Sequence, residues 1–157
     1  MSVQNVTKND IVFREATAAD LAGVMQVRVS VVENALTREQ LELRGITNAS
    51  IAASFLADSK GWIAEQGEQI VAFSIADRKT HSIFALFVLP GFEGRGLGSR
   101  LLDLALCWLW DNGAERVWLT TDPQARAARF YERRGWVCTF TDPGRDSRYE
   151  CLRPAER

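Results

Sequence analysis

The sequence is poor in the usual chemical handles. It has one histidine, His81, and three cysteines, Cys107, Cys138 and Cys151, with no C-x-x-C pair. One His and scattered Cys do not build a recognisable zinc site, so metal-free chemistry is the expectation. An odd, unspaced set of Cys is not a disulfide framework, and a reduced compartment, the cytoplasm, is expected. Charge of one sign is lacking too: 19 Lys and Arg face 20 Asp and Glu, for a formal net charge of −1. That balance argues against a general nucleic-acid binder and removes bulk attraction to an acidic membrane surface. The apolar runs fall far short of the roughly 18 residues that a membrane span needs. The opening M-S-V-Q-N-V-T-K-N-D has no apolar h-region, so no secretory signal is expected and the first ten residues read as a loose polar end. Repeats, low-complexity segments and Gly/Pro/Ser-rich stretches are missing, which argues against long disorder.

What is present suits one domain, read as residues 1–157 with a core over about 11–152. The chain has 157 residues, 46% of them hydrophobic and 25% charged, enough to bury a full core without staples. Ile11–Arg14 reads as a short strand. Thr17-Ala18-Ala19-Asp20 resembles a capping box with Asp in place of Glu, opening a helix to about Arg28. Thr37-Arg38-Glu39-Gln40 is a second box, and Asn48 is a cap for a third helix carrying Ile51, Ala52, Phe55 and Leu56. Trp62–Glu65 and Ile70–Ala76 are rich in strand formers, with a hairpin turn around Gly67. Ser82–Leu89 contains I-F-A-L-F-V-L, a run expected to be buried on both faces at the sheet centre. Leu97–Trp110 is apolar nearly all round and is expected to lie deep, with Asn112-Gly113 ending it. Arg116–Thr121 is a strand. Asp122-Pro123 reads as an N-cap followed by Pro at the first helical position, opening a helix to about Arg134. Trp136–Phe140 and Arg148–Leu152 read as a closing antiparallel pair turned around Asp142-Pro143-Gly144. The strand–helix–strand unit over 82–121 demands one right-handed parallel crossover. The fold expected is α+β: a mixed sheet with helices on both faces.

The informative stretch is Pro90-Gly91-Phe92-Glu93-Gly94-Arg95-Gly96-Leu97-Gly98-Ser99, between the apolar strand and its helix. Glycines there permit positive φ and close approach of a ligand. Free N–H groups and the helix dipole favour a phosphate or pyrophosphate, with Arg95 as a further cationic contact. A P-loop would need Lys before Ser99, and a dinucleotide fold would need G-x-G-x-x-G with far more chain to follow. A purely structural turn stays open at this point.

Two spaced stretches resolve it. E-G-R-G-L-G at 93–98 resembles the Q/R-x-x-G-x-G/A motif of the GNAT acetyltransferase superfamily, with Glu93 in the first position. R-A-A-R-F-Y-E-R-R-G-W at 126–136 resembles that family's R-A-x-x-F-Y-E-K-x-G-F stretch. Gln124 stands where many members have Asn. The resemblance covers nearly the whole chain. It implies a central mixed, largely antiparallel sheet of six to seven strands whose fourth and fifth strands splay apart around acetyl-CoA. It implies pantetheine pairing along Leu86, Phe87 and Val88, and a pyrophosphate on the amides of Gly94, Arg95, Gly96, Leu97, Gly98 and Ser99. It implies direct acetyl transfer to an amine, in a protein that often dimerises.

Such a transfer needs a neutral amine, a donor for the oxyanion and a proton for the leaving thiolate. The Val88 amide is the family-based oxyanion donor. Tyr131 matches the tyrosine that often protonates the thiolate; its alternative is a core aromatic beside Phe130. Glu33, in R-V-S-V-V-E-N at 28–34, is the first choice of base, with Asp77, His81 or a water chain as rivals. Arg28 either orients Glu33, holds a substrate carboxylate, or is a helix-end charge in solvent. Arg126, Arg129, Arg133 and Arg134 either meet the 3′-phosphate of CoA or form a solvated face. Cys107 reads as helix packing, and Trp108, Trp110, Trp118 and Trp136 as core. Trp62 is placed to border an acceptor pocket, and Glu33, Glu39 and Glu42 would favour a cationic amine. An acyl-CoA sensor without turnover and an enzyme for longer acyl chains remain alternative readings.

Overall fold

A computed structural model describes residues 10–141 and 144–155. The polar start at 1–9, and Asp142 and Pro143 of the closing turn, lie outside the described residues. The elements run β1 (Ile11–Glu15), α1 (Leu21–Ser30, entered through a 3-10 turn at Ala18–Asp20), α2 (Arg38–Leu43), α3 (Asn48–Phe55), β2 (Ser59–Gln66), β3 (Gln69–Asp77), β4 (Ser82–Val88), α4 (Leu97–Asp111), β5 (Arg116–Thr121), α5 (Arg126–Arg133), β6 (Val137–Phe140) and β7 (Ser147–Leu152).

The seven strands form one sheet in the order β1-β2-β3-β4-β5-β7-β6. All neighbours pair antiparallel except β4 and β5, which are parallel across the α4 crossover. Strand alternation splits the core in two. Trp62, Ala64, Ala72 and Ala76 face α4, meeting Leu101, Leu102, Ala105 and Leu109. Ile63, Phe73 and Ile75 face the other way, onto Leu21, Val24, Met25 and Val27 of α1 and Ile51 of α3. Buried Ser74 satisfies its hydroxyl by donating to the Leu101 carbonyl of α4 at 3.1 Å.

Several elements differ from expectation for identifiable reasons. The third helix is capped by Thr47, not Asn48: Thr47 Oγ1 accepts the Ser50 N–H at 3.0 Å and Ser50 Oγ accepts the Thr47 N–H at 2.9 Å. The α4 helix is amphipathic, with Arg100, Asp103 and Cys107 exposed along one stripe, so Cys107 is a surface residue. Asp122 and Pro123 do not open α5. Asp122 Oδ1 accepts the Gln124 N–H at 2.9 Å, an Asx turn, and the helix starts only at Arg126. Strand β4 is not buried on both faces: Phe84 is 53% exposed and Leu86–Val88 are half-buried.

Candidate functional site

The half-buried end of β4 follows from how little of it is paired on one side. Against β3 it is continuous except for a bulge: Ile75 opposes Ala85, Ala76 opposes Ile83, and Phe84 is the extra residue. Against β5 there is one rung, Ser82 opposite Trp118. The Trp118 N–H donates to His81 O at 3.1 Å and its indole N–H to Thr80 O at 2.9 Å, locking the strands at their starts. Beyond that point the strands part, and Leu86, Phe87 and Val88 lie on the edge of the gap.

The glycine loop closes the gap at its open end. Gly91, Gly94 and Gly96 have φ of 95°, 76° and 78°, a left-handed region closed to most side chains. Glu93 is an internal brace: its carboxylate accepts the Gly91 N–H at 2.8 Å. Backbone N–H groups of Glu93 and Gly91 hold that carboxyl below its ordinary pKa. Gly96 is the N-cap of α4 and has no side chain to offer, so the leading N–H groups of the helix carry no cap. A Cβ at Gly98 would lie 3.8 Å from Phe130 Cζ and 3.9 Å from Val88 Cγ2. So the end of β4, the start of α4 and the α5 helix converge there. Arg95 lies over the Phe92 ring at 4.9 Å, on the outside of the loop.

Helix α5 brings Tyr131 into the same region. Tyr131 is 5% exposed, between Phe130 (centroids 5.2 Å) and Trp136 (5.4 Å). Burial pushes its phenol above its ordinary pKa, so it stays protonated. The start of α5 has no local cap, since its N-cap is Ala125. Instead Glu33, 93 residues away, reaches over from the α1–α2 loop, and its Oε2 accepts the Arg126 N–H at 2.9 Å. That long-range cap was not legible in the sequence.

On the α1–α3 face the sheet borders a cavity of about 540 Å³ that opens onto β4 and β5. Met25, Phe73, Phe84 and Trp118 give it an apolar wall, and Arg28, Arg44 and Asp146 are its charged residues. The Arg28 guanidinium lies 4.2 Å over the Phe87 ring. Its Nη1 is buried without a hydrogen-bond partner among the described residues. Burial, then repulsion from Arg44, draws its pKa below the ordinary value. Arg44 and Asp146 are lining residues that sequence reasoning missed; neither sits in a motif.

The remaining candidates are scattered. Asp77 ends β3 and His81 lies in the β3–β4 turn, where Asp77 Oδ1 accepts the N–H of Lys79 (2.8 Å) and Thr80 (3.0 Å). That turn is at the far end of β4 from Val88, roughly 20 Å away at about 3.3 Å per residue. Trp62 packs edge-on to Trp108 in the α4 core and does not border the cavity, whereas Trp118 does. Glu39 and Glu42 are exposed and do not line it. The arginine group of α5 is divided: Arg129 pairs with Glu132 and Arg134 with Asp103. Gln124 is exposed just before α5. Among the described residues no cluster of three or more His, Cys, Asp or Glu is arranged to hold a metal, and no helix is long and apolar enough to cross a membrane.

The chain resembles known proteins at three levels. Residues 31–136, well over half the chain, match the model of the Acetyltransferase (GNAT) family. An uncharacterised N-acetyltransferase of Mycobacterium tuberculosis is 32% identical over 95 residues, 57% of this chain and 61% of that protein. The mycothiol acetyltransferase of Beutenbergia cavernae is 43% identical over 64 residues, 40% of this chain but 22% of that protein. The matches therefore span less than two thirds of either relative. In fold, the PaiA N-acetyltransferase of Thermoplasma acidophilum, solved with coenzyme A, superposes with a TM-score of 0.77 at 16% identity, over 92% of this chain and 99% of that one. A putative acetyltransferase of Salmonella typhimurium, solved with acetyl-CoA, gives 0.70 at 17% identity, over 92% and 94%.

Proposed function

The chain belongs to the GNAT acetyltransferase family, and from that premise we propose that it transfers the acetyl group of acetyl-CoA directly to a primary amine at the gap between β4 and β5. The observation that carries this reading is the single rung between those strands, with an uncapped helix start at the gap's open end. A sheet that declines its own hydrogen bonds leaves backbone groups for a ligand.

The residues present fit acetyl-CoA. The amides of Gly94, Arg95, Gly96, Leu97, Gly98 and Ser99 suit a pyrophosphate, aided by the dipole of α4. Leu86, Phe87 and Val88 offer strand edge to the amides of the pantetheine arm, and Gln124, exposed between β5 and α5, is the candidate polar contact on the β5 side. When bound, acetyl-CoA supplies an electrophilic thioester carbon and a thiolate leaving group. The Val88 N–H then faces developing negative charge on the acyl oxygen, where a fixed donor is worth most. Tyr131 holds a proton for the departing sulfur, and its raised pKa keeps that proton in place at any working pH. Glu33 takes the proton of the amine: it sits at the start of the helix that carries Tyr131, and Oε1 lies outside its bond to Arg126. Asp77 and His81 are at the wrong end of β4 for that work.

Titration of the full chain with CoA, followed by a thiol-release assay with acetyl-CoA and a panel of amines, tests the proposal. Micromolar binding and amine-dependent thiol release are expected. No CoA binding would overturn it. Binding without release for any amine would leave the sensor reading in its place.

A further inference from the structure

We propose that Arg28 and Arg44 form a carboxylate-recognition end to the cavity on the α1–α3 face, so that the amine acetylated here carries a carboxylate on an apolar body. The acetyl-transfer half of this statement rests on the proposed function. The carboxylate site rests on geometry alone.

Other arginines of the chain show what is unusual. Arg14, Arg78, Arg116, Arg129, Arg134 and Arg148 each pair with a carboxylate. Arg28 and Arg44 line a cavity and, among the described residues, pair with none. The face of the Arg28 guanidinium is covered by Phe87 at 4.2 Å, which leaves its edge as the place for a partner. Nη1 on that edge is buried and unsatisfied. A buried donor without an acceptor is costly, and more so when it is charged. A second guanidinium alongside adds repulsion. One anion between them relieves both costs.

The chemistry of that anion is also constrained. A guanidinium fork matches the two oxygens of a carboxylate in one plane. Two cations face one anion, Asp146, in the same cavity, which leaves a single positive charge to match. That balance favours a monoanion over a dianionic phosphate. The rest of the wall, Met25, Phe73, Phe84 and Trp118, suits an aliphatic or aromatic body. Two of the carboxylates that sequence reasoning assigned to a cationic acceptor are elsewhere: Glu39 and Glu42 face solvent and do not line the cavity.

The test is calorimetric titration of the full chain, with and without saturating CoA, using 3-phenylpropionate, its neutral amide 3-phenylpropionamide, and phenyl phosphate. The acid should bind at least tenfold more tightly than the amide and more tightly than the phosphate. Arg28→Gln and Arg44→Gln should each cut the acid-over-amide ratio at least fivefold, with Arg28→Lys in between, while retained CoA binding reports that each variant is folded. Equal binding of acid and amide, no binding of the acid, tighter phosphate binding, or a ratio that survives both Gln variants would overturn the proposal. A preserved acid preference without CoA binding would count against acetyl transfer and leave this site standing; CoA binding without acid preference would do the reverse.

Discussion

Helices α4 and α5 both begin at the gap between β4 and β5, and they begin in opposite ways. The α4 helix opens on Gly96, left-handed and without a side chain. The α5 helix opens on Ala125, equally unable to cap, yet its first N–H is taken by Glu33 from a distant loop. Elsewhere the chain caps locally, with Thr37 and Gln40 at α2 and Thr47 and Ser50 at α3. A capped start is finished architecture, and it holds what the helix carries, here Tyr131. An uncapped start leaves its donors unspent.

Four changes would break or sharpen that contrast. The largest effect is expected from Tyr131→Phe, which keeps the capped helix and removes its proton. The rate of thiol release should fall about 100-fold or more, the usual scale for a lost general acid, with CoA affinity within threefold of wild type. An unchanged kcat would reduce Tyr131 to a packing residue. Next is Gly96→Asp, which gives α4 the cap it lacks; Asp tolerates left-handed φ better than most residues. Thermal stability should hold, while CoA affinity falls about 30- to 100-fold, since a carboxylate next to a pyrophosphate costs about 2–3 kcal/mol in a partly solvated site. Unaltered affinity would place the pyrophosphate elsewhere.

The third change separates two roles of one residue. Glu33→Ala removes both cap and base, and should lower stability by about 1 kcal/mol, a typical capping loss, together with kcat. Glu33→Gln keeps an oxygen for the Arg126 N–H, so Tm should stay while kcat drops; a full kcat in the Glu33→Gln enzyme would confine Glu33 to capping. The smallest effect concerns the approach to α1. There Asp20 accepts the Thr17 N–H at 2.7 Å and pairs with Arg14 at 2.8 Å. The Arg14 hydrogen bonds hold its carboxyl down at about 2, against 3.8 ordinarily. A depressed folded-state pKa stabilises above the unfolded value and loses that stability as pH falls towards 2. Wild type should therefore exceed Asp20→Asn by under about 1 kcal/mol at neutral pH, because Arg14 is solvent-screened. The difference should close between pH 4 and 2 in an acid series of melting curves.

The glycine loop on one side of this contrast was legible in the sequence, and the charged lining of the cavity on the other was not. Glycines at 91, 94 and 96 stand out because left-handed backbone leaves few other choices, and the family model spans 31–136. Arg28 and Asp146 lie outside that span. The run at 83–89 read as a buried centre, because hydrophobicity does not distinguish a strand paired along both edges from one left open along part of one. Asp122-Pro123 read as a helix start because Asx turns and N-caps draw on the same residues. Contacts such as Glu33 to Arg126, or the missing partner of Arg28, exist only once the chain has closed on itself.

With one rung at Ser82 and Trp118, the sheet is two ribbons tied at a point. Strands β1 to β4 are neighbours in the sheet, as are β5, β7 and β6. The β2–β3, β3–β4 and β6–β7 hairpins close short loops, whereas the tie, like the β1–β2 and β5–β7 pairs, closes over a longer stretch of chain. A ligand laid across the ribbons has nothing to grip until that tie is made. A ligand whose contacts form only once that tie is made leaves the folding rate alone and slows unfolding. The lifetime of this protein against a protease, rather than its speed of folding, would then track the supply of such a ligand.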